Sequence, residues 1–360
     1  MLSWCFVHYY DELSHYGIEI ETFDYANYES IAAANEVVIK QARNEHYDLF
    51  MTGCNEEALY IDTVLQLKAL GLPTLLLCCD NLSVPFVHRN IARYFDLVWL
   101  CQPDNREMFE KWGARTLCQP FAANPFFFQY RQKEELYRAA FVGTPYGTRA
   151  NMINTLTSNS VPVTLFTSPG GTSGAIDGGA GHRIRQLRQI AKTTSEFLRF
   201  PNGRKLLAGA AIQKLHANAR LDTSSAYLEI RPSVTMDEMP VTYSTYALAL
   251  AGTTARNTGT LKHPVEMIFL RNFEIPMSGG VQLCFYEEEL AGYFEEDKEI
   301  LFYRSDEEFV EKAKFYLAPK RAQLRQDLRL AARRRAENEH TWYRRFSKVF
   351  ETLDITAKAE

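Results

Sequence analysis

The chain has 360 residues, 46% of them hydrophobic and 23% charged, which is more than one core ordinarily holds and an ordinary balance for a globular protein. A net charge of −4 excludes a general nucleic-acid binder, because nothing in bulk draws the chain to phosphate backbones. The seven cysteines form an odd set without a C-x-x-C spacing and mostly stand in apolar runs, as buried, reduced thiols of a cytoplasmic protein would.

No apolar run approaches the ~18 residues of a membrane span, and no secretory pattern follows Met1. Residues 2–15 carry Trp4, Val7, Tyr10 and Leu13 at helical spacing, so the chain opens on a helix. A parallel α/β domain ordinarily opens on a strand, and that strand is expected to be missing. Short apolar runs at Glu19–Phe23, Leu49–Thr52, Thr74–Cys78, Leu97–Cys101 and Thr116–Cys118 then alternate with amphipathic stretches, the pattern of β-α-β units. The runs are continuously apolar, as a sheet covered on both faces requires. Ser30 opens one intervening helix, and Asp104 with Glu107 reads as a capping box whose helix stops at Gly113.

Asn124-Pro125 and the polar run Gln129–Glu135 mark a boundary. A second block follows with strand Ala139–Val142, loop Gly143–Arg149, a helix and strand Val161–Phe166. Ser168–His182 holds six glycines in fifteen residues but lacks a phosphate-loop spacing, so it reads as a linker. Residues 183–220 are basic and helical. Val234–Tyr243 reads as a turn and short helix, and Tyr246–Ala251, Val281–Phe285 and Ile300–Tyr303 as strands. Ser305 and Glu308 cap a helix that Pro319 ends, and two more helices follow. The fold class is therefore α/β, with two Rossmann-like doubly wound domains. They are expected at 1–137 and 138–338, facing a central cleft, and a C-terminal helix over 339–360 is expected to return to the first.

The segment from Leu270 to Gly280 carries the most chemistry: Arg271, then Glu274 at a helix start, then Gly279-Gly280. A carboxylate can accept both hydroxyls of a ribose, an arginine can neutralise a diphosphate, and glycines let backbone amides approach phosphate. On spacing alone, a helix cap, an ion pair and a turn explain the same residues at least as well.

The run RNFEIPMSGG resembles the R-x-FE-x-x-x-x-GG signature of the CgeB-like (spore-maturation-protein) glycosyltransferases, relatives of the large retaining GT-B group. The resemblance extends through VTMDEMPVTYSTYALAL (234–250), residues 288–317 and HTWYRRF (340–346), and more loosely through the first half. It implies a GT-B fold and a nucleotide-diphosphate sugar as donor substrate, with no further cofactor. Glu274 would hold the donor ribose, Gly279 and Gly280 would lie beside its phosphates, and Arg271 would supply charge at the reacting diphosphate. AAFVGTPYGTRANMI (139–153) resembles the family's first C-terminal strand and loop, which gives Gly143 and Arg149 the diphosphate. The 234–250 loop, with Tyr243, would take the base. The last helix would cross back onto the first domain, anchored by Trp342, Tyr343 and Phe346.

Other residues are weaker candidates. Glu266 and Glu274 are separated by seven residues, but no Gly-Phe-Gly follows Glu266, which reads as a surface glutamate. Asp80 ends a strand, where it is either a general base on an acceptor hydroxyl or a turn former. His88 and His263 read as satisfied polar groups. No D-x-D and no His/Cys cluster points to a metal. The arginine-rich tail helix, from Arg325 to Arg345, leaves peripheral contact with anionic lipid open, but interleaved glutamates favour a solvated face. The expected function is transfer of a sugar to an unknown acceptor. The alternative is a non-catalytic sugar-nucleotide-binding or surface-layer protein of the same fold.

Overall fold

The computed structural model describes residues 2–131, 133–168, 191–215 and 220–355. The glycine-rich run beyond Ser168 and part of the basic stretch lie outside the described residues. Contacts divide the chain into two compact units. One comprises Met1–Phe6, Leu13–Pro120 and Tyr343–Glu360, the other Val7–Glu12 and Phe121–Trp342.

The first unit is built on a four-stranded parallel sheet in sequence order: β1 (Phe50–Thr52), β2 (Thr74–Cys78), β3 (Leu97–Leu100) and β4 (Thr116–Cys118). Every residue of β2 and β3 is buried, as the continuously apolar runs require. Helix Ile31–Asn44 is capped by Ser30, whose hydroxyl accepts from the Ala33 amide at 3.1 Å. Asn105, not Asp104, is the N-cap residue of the helix at Arg106–Lys111, and it makes no side-chain cap bond. Its side chain donates instead to the carbonyl of Asn81 at 2.7 Å. Gly113 stops that helix in the left-handed region, at φ +89°.

Glu19–Phe23 is not a strand. Its exposed glutamates favour water over a ladder, while Phe23 stacks on Tyr28 at 4.8 Å and packs near Val38, Leu67 and Leu72. Helix Trp342–Thr352 belongs to this unit from Tyr343 onward. Phe346 meets Trp99 edge-on at 5.3 Å, and Tyr343 stacks on Tyr16 at 3.8 Å. Gln119 Nε2 donates to the Arg345 carbonyl at 2.9 Å. Trp342 itself is fully buried and groups with the second unit.

The second unit holds six parallel strands: β5 (Leu136–Val142), β6 (Val163–Thr167), β7 (Leu228–Pro232), β8 (Tyr246–Ala251), β9 (Gln282–Phe285) and β10 (Leu301–Tyr303). Their spatial order, β10-β9-β8-β5-β6-β7, is that of a doubly wound sheet whose two halves diverge between β5 and β8. β8 is buried along its whole length. The edge strand β7 has no counterpart in the sequence reading. Its Leu-Glu-Ile-Arg-Pro alternates, with a half-buried or exposed residue at each position, so it lacks the apolar run that marks the central strands.

Helix Asp306–Leu317 carries the expected cap: Ser305 Oγ accepts from the Glu308 amide at 3.2 Å. Helix Ala322–Glu339 departs from expectation. Arg325 is fully buried and Arg329 is 3% exposed, both bonded to Glu135, and Arg333 donates to the Phe128 and Met277 carbonyls. Part of the arginine-rich face is thus internal rather than solvated. No helix of the described residues is long and apolar enough to cross a membrane.

Candidate functional site

In open parallel sheets a ligand lies beyond the carboxyl ends of the strands where the order diverges. In the second unit those ends are Gly143, after β5, and Gly252, after β8. Gly143 has φ +141°, a conformation that glycine alone adopts readily. A Cβ placed there would stand 3.7 Å from Arg271 Nη2, so the Arg271 guanidinium lies directly against this backbone. Arg271 opens helix Arg271–Met277.

Arg149 enters from the other side as the second residue of helix Thr148–Ser158, whose N-cap Gly147 supplies no side-chain cap. Its guanidinium lies 4.5 Å from the Tyr146 ring centroid and 5.9 Å from those of Phe141 and Phe269. Burial lowers the Arg149 pKa, Tyr146 opposes that shift and the charge of Arg271 adds to it. Tyr243 holds Arg271 charged, against the effect of burial, and Glu274 helps. Among the described residues, neither guanidinium has a carboxylate within 4.0 Å. Two cations therefore face the same strand ends without an ion-pair partner.

Around Arg271 lies a set of under-satisfied polar atoms. Arg271 Nε, Asn272 Nδ2 and the Tyr243 hydroxyl are buried without a hydrogen bond of good geometry. Glu274, one turn after Arg271, is 3% exposed. Burial pushes its carboxyl up to about 7, and Arg271 opposes the shift. His8 Nε2, from the opening helix, stands 3.5 Å from Glu274 Oε1. Burial pulls His8 down to about 3, so it is neutral near pH 7.

The Glu274 shift has a sign. Its folded pKa lies above the ordinary carboxyl value of 4.5, so the contribution to stability is full below about pH 4.5 and is lost as pH rises through about 7. His8 acts in the opposite direction between 6.5 and 3 and is common to both proteins compared. Glu274→Gln, which stays neutral, should gain thermal midpoint relative to the parent between pH 4.5 and 7. A difference that does not change with pH would contradict this.

The glycine pair is occupied by packing. Gly279, at φ +69°, ends the helix, and a Cβ there would meet Tyr130 Cδ2 at 2.6 Å. A Cβ at Gly280 would meet Ile275 Cγ2 at 2.7 Å and the Tyr243 carbonyl at 3.0 Å. Close approach is what these glycines permit, and the approaching groups are protein.

A cavity of about 380 Å³ opens at the carboxyl ends of β8, β9 and β10. Thr148 and Arg149, Thr253 and Thr254, and Ser305 and Asp306 line it. Arg149 thus borders both this space and Arg271. Such a volume lies in the range of small-molecule pockets.

The remaining candidates fall elsewhere. Asp80 is exposed after β2, in the first unit, and its carbonyl accepts from the Ser83 and Val84 amides in a turn. His88 bonds to Cys78 Sγ at 3.4 Å and the Gly53 carbonyl at 3.1 Å. His263 and Glu266 are exposed. Among the described residues, no three His, Cys, Asp or Glu side chains gather as a metal site would need. Sequence reasoning missed His8. It is a lone histidine 266 positions from Glu274, and nothing local marks it.

Residues 186–351 match the family model described as glycosyl transferase-like. The structure is similar to that of Anabaena HepE, solved in complex with UDP-glucose, at 13% identity and a TM-score of 0.56 over 96% of this chain and 88% of that one. The chain has the GT-B fold. A glycosyltransferase from Rickettsia africae superposes at 10% identity and 0.56, covering 97% and 88% of the two chains. Sucrose-phosphate synthase from Thermosynechococcus elongatus gives 13% and 0.50, covering 94% and 84%. No curated protein matches the sequence significantly. Arg149 and Arg271 stand on helices of the second unit, and of the two only Arg271 lies within the matched residues.

Proposed function

We propose that this glycosyltransferase-like chain takes a hexosyl group from a nucleotide-diphosphate sugar to an acceptor hydroxyl, without a metal ion. We also read it as CgeB-like and cytoplasmic. The observation that carries the reading is the pair Arg149 and Arg271, desolvated beside Gly143 and lacking carboxylate partners. Holding two such cations together is unfavourable in the empty site, and a diphosphate between them relieves both the repulsion and the desolvation. The uncapped start of helix Thr148–Ser158 adds backbone donors on the same side.

In the reaction, the bond from the anomeric carbon to the diphosphate oxygen breaks. The electron pair leaves with the nucleoside diphosphate, where negative charge accumulates. Arginines fixed at that position stabilise the leaving group more than the ground state, which is how such a site accelerates transfer. The cavity beside Arg149 offers room for a group carried by the diphosphate. Glu274 is proposed for the ribose, Tyr243 for the base side and Asp80 as the base that takes the acceptor proton, while Gly279 and Gly280, whose amides donate to the Pro276 and Ile275 carbonyls, shape the helix end behind Glu274.

A thermal-shift screen against nucleotide-diphosphate sugars and free nucleoside diphosphates tests this. Ligand at a hundred times its dissociation constant adds ~2.7 kcal/mol. One nucleotide class should raise the midpoint, and Glu274→Ala, while still folded, should lose the rise. An equal rise in the variant would remove Glu274 from the ribose, and no rise with any nucleotide would remove the donor.

A further inference from the structure

The carboxyl assigned to the ribose is closed off by the chain itself. Glu274 is 3% exposed and His8 fully buried, with 3.5 Å between the imidazole and the carboxyl. Residues Val7–Glu12 cluster with the second unit. Asn124 Nδ2 donates to the Val7 carbonyl and to Asp11 Oδ2, both at 2.8 Å, and the Trp342 amide donates to Glu12 Oε2 at 3.1 Å. The His8 ring lies 5.6 Å from Phe128 and 6.0 Å from Trp342. His8 presents one edge of a neutral ring to Glu274, a place that a hydroxyl pair would otherwise fill.

We propose that Val7–Glu12 is an autoinhibitory plug: His8 occupies the ribose position at Glu274, and a nucleotide donor binds only as this segment withdraws. The inference rests on the donor reading above. Two features make withdrawal affordable. The plug is joined to the carboxyl by a neutral ring and not by an ion pair, so leaving strands no full charge. Two groups that interact with Glu274, Arg271 Nε and the Tyr243 hydroxyl, are buried without a hydrogen bond of good geometry and gain one when a ligand arrives. Observed affinity is the intrinsic affinity scaled by the fraction of open protein. If about one molecule in ten is open, then freeing the segment raises affinity about tenfold.

The test is titration calorimetry with UDP and UDP-glucose on the full chain and three variants, with GDP and ADP and their sugar forms run if the uridine pair is silent. His8→Ala removes the occupant. Asn124→Ala loosens the segment without touching Glu274 or His8. Glu274→Gln removes the ribose acceptor. The expected result is binding by the parent, about tenfold tighter binding by His8→Ala and Asn124→Ala, and weaker binding by Glu274→Gln. Amide exchange at residues 7–12 should also speed up when ligand is added to the parent. Unchanged affinity in both loosening variants, with exchange at 7–12 unaffected by ligand, overturns the plug and leaves the donor reading standing. Binding by none of the four folded proteins overturns the donor reading and the plug with it.

Discussion

Arg271→Ala should lower affinity for a nucleoside diphosphate about a hundredfold. A hydrogen bond to a charged group contributes about 1.5–3 kcal/mol, and each 1.4 kcal/mol is a factor of ten. Arg271 presses its guanidinium against Gly143, where backbone and arginine converge on one point. Removing it from an empty site also removes the repulsion felt by Arg149. Arg271→Lys should recover little, since a lysine brings the charge without the planar fork. Equal diphosphate affinity in Arg271→Ala would refute its role.

The second large effect is on stability alone. Glu135→Ala is expected to cost about 3–5 kcal/mol, because it leaves buried cations uncompensated. The carboxylate accepts from Arg325 through both oxygens and from Arg329 Nη2 at 2.7 Å. Those arginines also donate to backbone carbonyls, Arg325 to Tyr316 and Ala318 and Arg329 to Ser244 and Tyr246. One carboxylate just before β5 therefore balances two charges on helix Ala322–Glu339. Calorimetric unfolding should show the loss in the second unit. A change below about 1 kcal/mol would mean that water reaches the arginines.

The contrast between these two pairs sets the proposed site apart from the scaffold. Arg325 and Arg329 are buried and paired, while Arg149 and Arg271 are desolvated and unpaired. In the sequence Arg149 and Arg271 stand out only through the family resemblance, and nothing marks Arg325 and Arg329 as buried. The central strands were legible because burial on both faces demands apolar runs: Tyr246–Ala251 has the same bounds in sequence and structure. Strand β7 was not legible because an edge strand needs no such run, and Glu19–Phe23 was misread because its two glutamates interrupt the apolar run and stay exposed. Glu274 and Arg271 were singled out through their local signature. The burial of Glu274 was not, since His8 meets it only through the fold. The tail arginines looked solvated because their partner, Glu135, lies far away in sequence.

The most direct measurement of the central claim is calorimetric titration with nucleoside diphosphates and, in parallel, with the corresponding nucleosides. The arginine pair predicts that at least one diphosphate binds and that its nucleoside binds at least a hundredfold more weakly, the difference vanishing when Arg149 and Arg271 are both replaced by alanine. A nucleoside that binds as tightly as its diphosphate, or a double variant that keeps the difference, would contradict it.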